Sequence, residues 1–270
     1  MPGMQQFSGK VAVVTGGASG IGKAIAQQLV LQGMHVVIAD VEEEALERSA
    51  REIGAVGIRT DVSSFESVHA LADGVRNRFG AVHLLCNNAG VASTARIADM
   101  ALSDWEWLLG VNLWGAIHGI KAFLPLLKAN VGGGYLVNTA SVAGFHVTSE
   151  LGGYSVSKFA VVALSETLAL ELAADGSNVG VTVFCPGPVS TRLGSSQRNR
   201  PRGAAESAFV DRDLEQEGAP GIRWMDPEMA AEILLRAIRR GDLHAFTHPE
   251  WAPVLRERHQ GIIAALEAGG

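Results

Sequence analysis

Short apolar runs alternate along the chain with longer stretches in which apolar residues recur at helical spacing. Lys10–Thr15 (KVAVVT), Met34–Ala39 (MHVVIA), Ala81–Cys86 (AVHLLC), Gly134–Thr139 and Val179–Cys185 (VGVTVFC) read as strands, with weaker or shorter ones at Ala55–Arg59 and Leu243–Thr247. Most of the apolar runs are continuous rather than alternating, as strands buried on both faces require. The intervening stretches predict helices over Gly20–Leu31, Val41–Ile53, Phe65–Phe79, Asp104–Lys128, Tyr154–Ala174 and Pro227–Arg240. Trp251–Ala268 reads as a last helix or helical tail. Ser103 or Asp104 is the expected cap of the fourth helix, and Pro125 lies where it could bend that helix near its end. Strand and helix recur every twenty to thirty residues. The prediction is an α/β chain with a doubly wound, seven-stranded, mostly parallel sheet and helices on both faces.

One stretch breaks the rhythm. Ser190–Trp224 is polar and irregular, with RNRPRGAAES and DRDLEQEGAPG. A long segment of this kind in a compact fold is usually functional. It is expected to form a substrate lid over about 190–225 with one short helix. No internal repeat or linker divides residues 1–270, so one domain is expected.

Bulk properties narrow the partners. At 47% hydrophobic residues the 270-residue chain can bury a large core, and a net charge of −6 argues against nucleic acid. The basic run Arg198–Arg202 (RNRPR) then reads as a solvated loop. The opening MPGMQQFSGK has no apolar signal core, and no run approaches the ~20 apolar residues that span a bilayer. The expectation is a cytoplasmic protein with no membrane partner. Cys86 and Cys185 each close an apolar run and form neither a metal motif nor a disulfide framework. They read as buried free thiols, and no metal site is expected.

Chemistry begins at the first strand–helix junction. Thr15–Gly22 is TGGASGIG, placing Gly16, Ser19, Gly20, Ile21 and Gly22 where a phosphate could meet backbone and a helix N-terminus. The spacing is GxxxGxG rather than GxGxxG. A glycine turn alone can be structural; the strand–turn–helix setting favours a Rossmann-type nucleotide site. Asp40 ends the second strand and can hydrogen-bond both ribose hydroxyls of an adenosine while repelling a 2′-phosphate. It could equally cap the following helix. Val41 and Ser19 supply no cation, so NAD is favoured over NADP. Asp61-Val62 follows the third strand and could meet the adenine. Asn87-Asn88-Ala89-Gly90 follows the fourth, at the carboxyl edge where open sheets bind ligands.

The reaction centre is read from Ser141–Lys158, SVAGFHVTSELGGYSVSK. Tyr154 and Lys158, four apart, share one face of a helix. An ammonium beside a phenol favours phenolate and is expected to lower its pKa from about 10. Ser141 could hydrogen-bond the same substrate oxygen. A lone YxxxK is weak, because many helices contain one by chance.

Together these motifs resemble the short-chain dehydrogenases/reductases over essentially residues 7–250: TGGASGIG, Asp61-Val62, NNAG at 87–90, Asn112, Ser141, Tyr154/Lys158 and PGPVST at 186–191, in that family's order. The resemblance implies that Tyr154 is the catalytic acid/base. Lys158 would tune it and hold the nicotinamide ribose, and Ser141 would orient the substrate oxygen. Asn112 would kink its helix and anchor a proton-relay water; from the residues alone it is only a polar position in an apolar helix. Val189 and Thr191 would bind carboxamide and pyrophosphate, and Pro186-Gly187 would keep side chains off the nicotinamide. The resemblance also implies a homo-oligomer, a tetramer or else a dimer, built on the helices at 104–128 and 154–174.

The implied activity is an NAD-dependent dehydrogenase or ketoreductase acting on a small-molecule alcohol or ketone. The pocket is expected from Val142–Leu151, Ala92–Arg96 and the lid, with Phe145, Val147, Leu151, Phe209 and Trp224 making it apolar and His146 at the surface. That suits a bulky or aryl secondary alcohol. GVNLWGAIHGIKAFLP and HPEW also resemble a bacterial subgroup that includes aryl-carbinol dehydrogenases. An NADP-linked 3-oxoacyl reductase, a sugar or polyol dehydrogenase and a non-catalytic dinucleotide-binding regulator are the alternatives. Asp40 counts against the first, and the intact Ser/Tyr/Lys set against the last.

Overall fold

The computed structural model describes residues 2–201, 207–217 and 223–269. The strands are β1 (Val11–Thr15), β2 (His35–Asp40), β3 (Val56–Arg59), β4 (Leu84–Asn87), β5 (Gly134–Thr139), β6 (Val179–Cys185) and β7 (His244–Phe246). They form one sheet in the order β3-β2-β1-β4-β5-β6-β7, and every pairing is parallel. The order reverses between β1 and β4, which opens a crevice at their carboxyl ends.

Helices cover both faces: α1 (Gly20–Leu31), α2 (Glu43–Ile53), α3 (Phe65–Phe79), α4 (Leu102–Leu109), α5 (Gly115–Lys128), α6 (Gly152–Ala174), α7 (Leu214–Glu217), α8 (Pro227–Arg240) and α9 (Ala252–Ala268). Strand residues divide by parity. Ala12, Val14, Val36, Ile38, Leu84 and Cys86 face α1, α2 and α8 through Ile25, Leu29, Leu46, Leu234 and Ile238. Val11, Val13, Val37, Ala39 and Leu85 face α3, α5 and α6 through Leu71, Val75, Phe123, Leu127 and Leu172. Each parity meets an apolar layer, which is why the strand runs are unbroken. Both cysteines are buried free thiols.

Three local readings are corrected. The predicted helix over 104–128 is two helices, α4 and α5, joined by a π-helical turn at Gly110–Trp114. Its first residue is Leu102. Asp104 acts from inside the first turn, its carboxylate accepting the Ala101 N–H at 3.0 Å. The second helix begins at Glu43 rather than Val41, because the Asp40 carboxylate takes the Glu42 N–H at 3.1 Å and holds Glu42 in a non-helical conformation.

Within the basic run, Arg198 and Pro201 are exposed as expected, but Arg200 is not solvated. Arg200 forms a 2.6 Å ion pair with Asp104, whose side chain is fully buried, and its guanidinium lies against the rings of both Trp107 and Phe209. Arg198 pairs with Glu42 at 3.1 Å. Arg202 lies outside the described residues. The expected lid contains a 3-10 helix over Arg192–Asn199 and the short α7. Of its predicted span, 202–206 and 218–222 lie outside the described residues. The described part of this segment is held to the loop after β4 by the Ala92 N–H on Ser196 Oγ (3.1 Å) and by a Thr94–Val210 bridge.

Candidate active site

The glycine turn between β1 and α1 is shaped by contact as well as by conformation. Gly16 has φ +65°, and a Cβ there would lie 2.8 Å from Ala89 Cα. A Cβ on Gly22 would lie 2.1 Å from the Gly16 carbonyl oxygen. No side chain fits at either position, so the turn lies flat and leaves open space above it. Thr15 locks the facing loop: its Oγ1 accepts the N–H groups of Asn88 (3.0 Å) and Ala89 (3.1 Å), while Asn88 Nδ2 donates to the Thr15 carbonyl at 3.1 Å.

A single cleft runs along the carboxyl ends of the strands. It is lined by Gly16, Ser19, Gly20, Ile21 and Gly22, by Asp40, Asp61 and Val62, and by Asn88, Ala89 and Gly90. Ser141, Tyr154, Lys158, Pro186, Gly187, Val189 and Thr191 complete this part of its wall. Apart from Asn87, Asn112 and the apolar residues expected at the substrate pocket, the residues singled out from the sequence face it. Asn112 stands behind, where its side chain accepts the Val91 N–H at 2.8 Å and donates to the Val91 carbonyl at 2.9 Å and to Ser157 Oγ at 3.0 Å. It pins the loop after β4 to the π-turn. Asn87 also turns away, donating to Asn138 Oδ1 at 2.9 Å.

Asp40 lines the cleft beside the glycine turn. One carboxylate oxygen accepts the Ala18 N–H and the other the Glu42 N–H, both at 3.1 Å. Burial pushes its pKa above the carboxylate range, while those two N–H groups pull it back.

At the other end three side chains converge. Ser141 follows β5 in extended backbone, held because the Val142 N–H donates to the Pro186 carbonyl at 3.0 Å. Its hydroxyl donates to the Pro186 carbonyl at 3.3 Å and accepts the Ala143 N–H at 3.1 Å, and it stands close enough to the Tyr154 phenol to oppose the rise of that group's pKa. Lys158 is buried; its Nζ lies 5.4 Å from the Tyr154 ring centroid and donates to the Thr139 carbonyl at 2.9 Å.

Here the sequence expectation is reversed. Burial pushes the Tyr154 pKa up to about 12, with the Ser141 hydroxyl opposing it, and pushes Lys158 down to about 8. The ammonium is aimed at a backbone carbonyl, and desolvation is the largest influence on both groups. At neutral pH the protein presents a neutral phenol beside a buried cation.

The substrate end is also redrawn. Val91, Trp107, Val111, Leu193, Ser196 and Pro201 line the cleft. Phe145, Val147, Leu151, Phe209 and Trp224 are not among its lining residues. Phe145 packs on Phe246 with centroids 5.3 Å apart, and Phe209 packs behind Trp107 at 5.9 Å. Val147 is exposed, and Leu151 forms a bridge with Ala95. His146 is only partly exposed and packs on Trp251 at 5.6 Å. Trp107 carried no local signal, since in sequence it is one more apolar residue of a helix; the fold turns it toward the cleft. Arg192, Arg198 and Asn199, from the segment expected at the pocket, also line the cleft, as does Glu42, which was not anticipated.

A short chain dehydrogenase family profile matches residues 10–202. The chain belongs to that family, and with it to the oxidoreductases. It is similar to a short-chain dehydrogenase/reductase from Burkholderia phymatum solved in complex with NAD: 38% identical, TM-score 0.91, with 97% of each chain covered. It is 32% identical to the C alpha-dehydrogenase of a Sphingobium species, covering 97% of this chain and 88% of that one. The 3-ketoacyl-(acyl-carrier-protein) reductase of Brucella melitensis, solved with NADH, is 25% identical with TM-score 0.78, covering 90% of this chain and 98% of that one. Among the described residues no cluster of metal-ligating side chains occurs, and no helix is long and apolar enough to cross a membrane.

Proposed function

We propose that the protein is an NAD-dependent dehydrogenase that interconverts a bulky, apolar or aryl secondary alcohol with its ketone. The observation that carries the reading is one continuous cleft with a side-chain-free glycine cradle and Asp40 at one end and Ser141, Tyr154 and Lys158 at the other. The cradle fits a dinucleotide: its Cβ-free surface admits a pyrophosphate against the α1 N-terminus, and Asp40 suits an unphosphorylated ribose. The dinucleotide, when bound, supplies hydride transfer.

The chain's own residues do the proton chemistry. Ser141 and Tyr154 would both hydrogen-bond one substrate oxygen, Ser141 by turning its hydroxyl from the Pro186 carbonyl that it meets at 3.3 Å. In ketone reduction the neutral Tyr154 phenol gives its proton to that oxygen; in alcohol oxidation the phenol first releases its proton to solvent and the resulting phenolate accepts the alcohol proton. The Lys158 cation, protonated below about pH 8, stabilises negative charge developing on the phenol and the oxygen. Asn112, through Val91 and Ser157, holds the loop and helix that carry the site.

Trp107, Val91, Val111 and Leu193 give the substrate end an apolar wall, which supports a bulky or aryl substrate. The likeness to the Sphingobium C alpha-dehydrogenase points the same way. Assembly into a homo-oligomer through the α5 and α6 surfaces is supported by exposed Trp114, beside α5, and by Val156 and Leu170 on α6.

The test is a coenzyme-reduction assay with NAD⁺ against aryl, aliphatic and polyol secondary alcohols. An acetoacetyl thioester with NADH and NADPH forms the reductive arm. The aryl or bulky alcohols are expected to give the highest kcat/KM; a higher value for polyols or the thioester would overturn the substrate assignment.

A further inference from the structure

The adenosine end of the cleft holds more charge than the sequence motif implies. Asp40 is followed two residues later by Glu42, and both line the cleft. Opposite them the segment after β6 contributes Arg192 and Arg198, which line it too. Arg198 Nε donates to Glu42 Oε1 at 3.1 Å, and Asn199 Nδ2 donates to the same oxygen at 3.1 Å. The Arg192 guanidinium lies 3.8 Å from the other Glu42 oxygen. Burial works upward on the Glu42 carboxyl, but its Asn199 and Arg198 partners outweigh it and hold it below the usual range. Arg198 is also fixed from behind, donating to the Arg192 carbonyl at 3.0 Å.

Two guanidinium groups beside an adenosine ribose are the chemistry that holds a 2′-phosphate. Here a carboxylate neutralises them. We propose that Glu42 is a specificity-determining residue: it occupies Arg198 and Arg192, so that the site selects the unphosphorylated ribose through Asp40 and Glu42 jointly. The inference rests on the reading of the cleft as a dinucleotide site. Removing Asp40 alone relieves repulsion but leaves the arginines engaged. Removing the Glu42 charge as well releases them to a phosphate. Glu42 also ties the lid to the β2–α2 turn, and loosening that tie would alter NADH and NADPH binding together. The affinity ratio of the two isolates selection from closure.

The experiment is fluorescence titration of the full chain with NADH and NADPH, which needs no substrate. It compares wild type, Asp40→Ser, Glu42→Gln, Asp40→Ser/Glu42→Gln, and the double variant carrying Arg198→Ala or Arg198→Gln. Wild type is expected to prefer NADH. Asp40→Ser narrows the gap, and adding Glu42→Gln shifts the ratio toward NADPH by about a further tenfold, the scale of one released charge-assisted contact. Either Arg198 substitution returns the ratio to that of Asp40→Ser. An unchanged ratio on removing the Glu42 charge, or a gain that survives both Arg198 substitutions, overturns the proposal while leaving the dinucleotide site standing. Failure of wild type to bind either coenzyme overturns both.

Discussion

Lys158→Met separates the stability of the site from its chemistry. The lysine is 3% exposed, and burial lowers its pKa from an ordinary 10.5 to about 8. At about 1.4 kcal/mol per pKa unit, keeping the cation there costs the folded state about 3 kcal/mol. Methionine fills a similar volume without charge. It gives up the hydrogen bond to the Thr139 carbonyl, worth about 1 kcal/mol. The net gain is about 2 kcal/mol, or about 4–8 °C in Tm for a chain of this size. The sign with pH follows from the direction of the shift. Below about pH 8 the lysine is protonated both folded and unfolded, and the full penalty is present. Between about 8 and 10.5 the folded lysine loses its proton first, so the wild type recovers stability as pH rises. Thermal unfolding of the coenzyme-free protein at about pH 7 and about pH 9.5 is the assay. The variant should melt higher at the lower pH, the gap should shrink at the higher one, and turnover should be lost at both. A variant that is no more stable than wild type at neutral pH, with a gap independent of pH, would refute the reasoning.

Other substitutions probe other parts. Gly22→Ala places a Cβ 2.1 Å from the Gly16 carbonyl oxygen, so coenzyme binding measured by titration should fall at least about a hundredfold, if the turn forms at all. Arg200→Met leaves the buried Asp104 without its cation and should lower stability by about 3 kcal/mol in denaturant unfolding. Adding Asp104→Asn should recover part of that loss. Trp107→Ala should lower kcat/KM for bulky or aryl alcohols about tenfold while leaving coenzyme affinity near wild type; a parallel loss for small alcohols would mean that the ring does not shape substrate choice.

The sheet was legible because its strands are buried on both faces. A run such as VAVVT, with an apolar layer against each parity, has little alternative. The glycine turn, Asp40 and Ser141 were legible because each lies at or just after a strand end, and Tyr154 and Lys158 because they lie four apart on one helix. What escaped depends on contacts far apart in sequence. The break in the fourth helix is made where Asn112 pairs with the Val91 backbone, 21 residues away. Arg200 reads as solvated until Asp104, Trp107 and Phe209 enclose it. Phe145 belonged to a stretch expected at the pocket, yet β7 supplies Phe246 and His244 to draw it to the sheet edge. The Tyr154 expectation failed on magnitude: helical spacing predicts nearness to Lys158, but not how deeply both are buried.

Tyr154→Phe tests the central claim most directly. The substitution removes one hydroxyl and leaves the ring that packs beside Lys158. NADH binding should stay within a few-fold of wild type, while turnover of the best alcohol in the panel should fall by about 10²–10⁴, the contribution of a positioned acid–base group. A Tyr154→Phe protein that binds NADH and turns over near the wild-type rate would contradict the account.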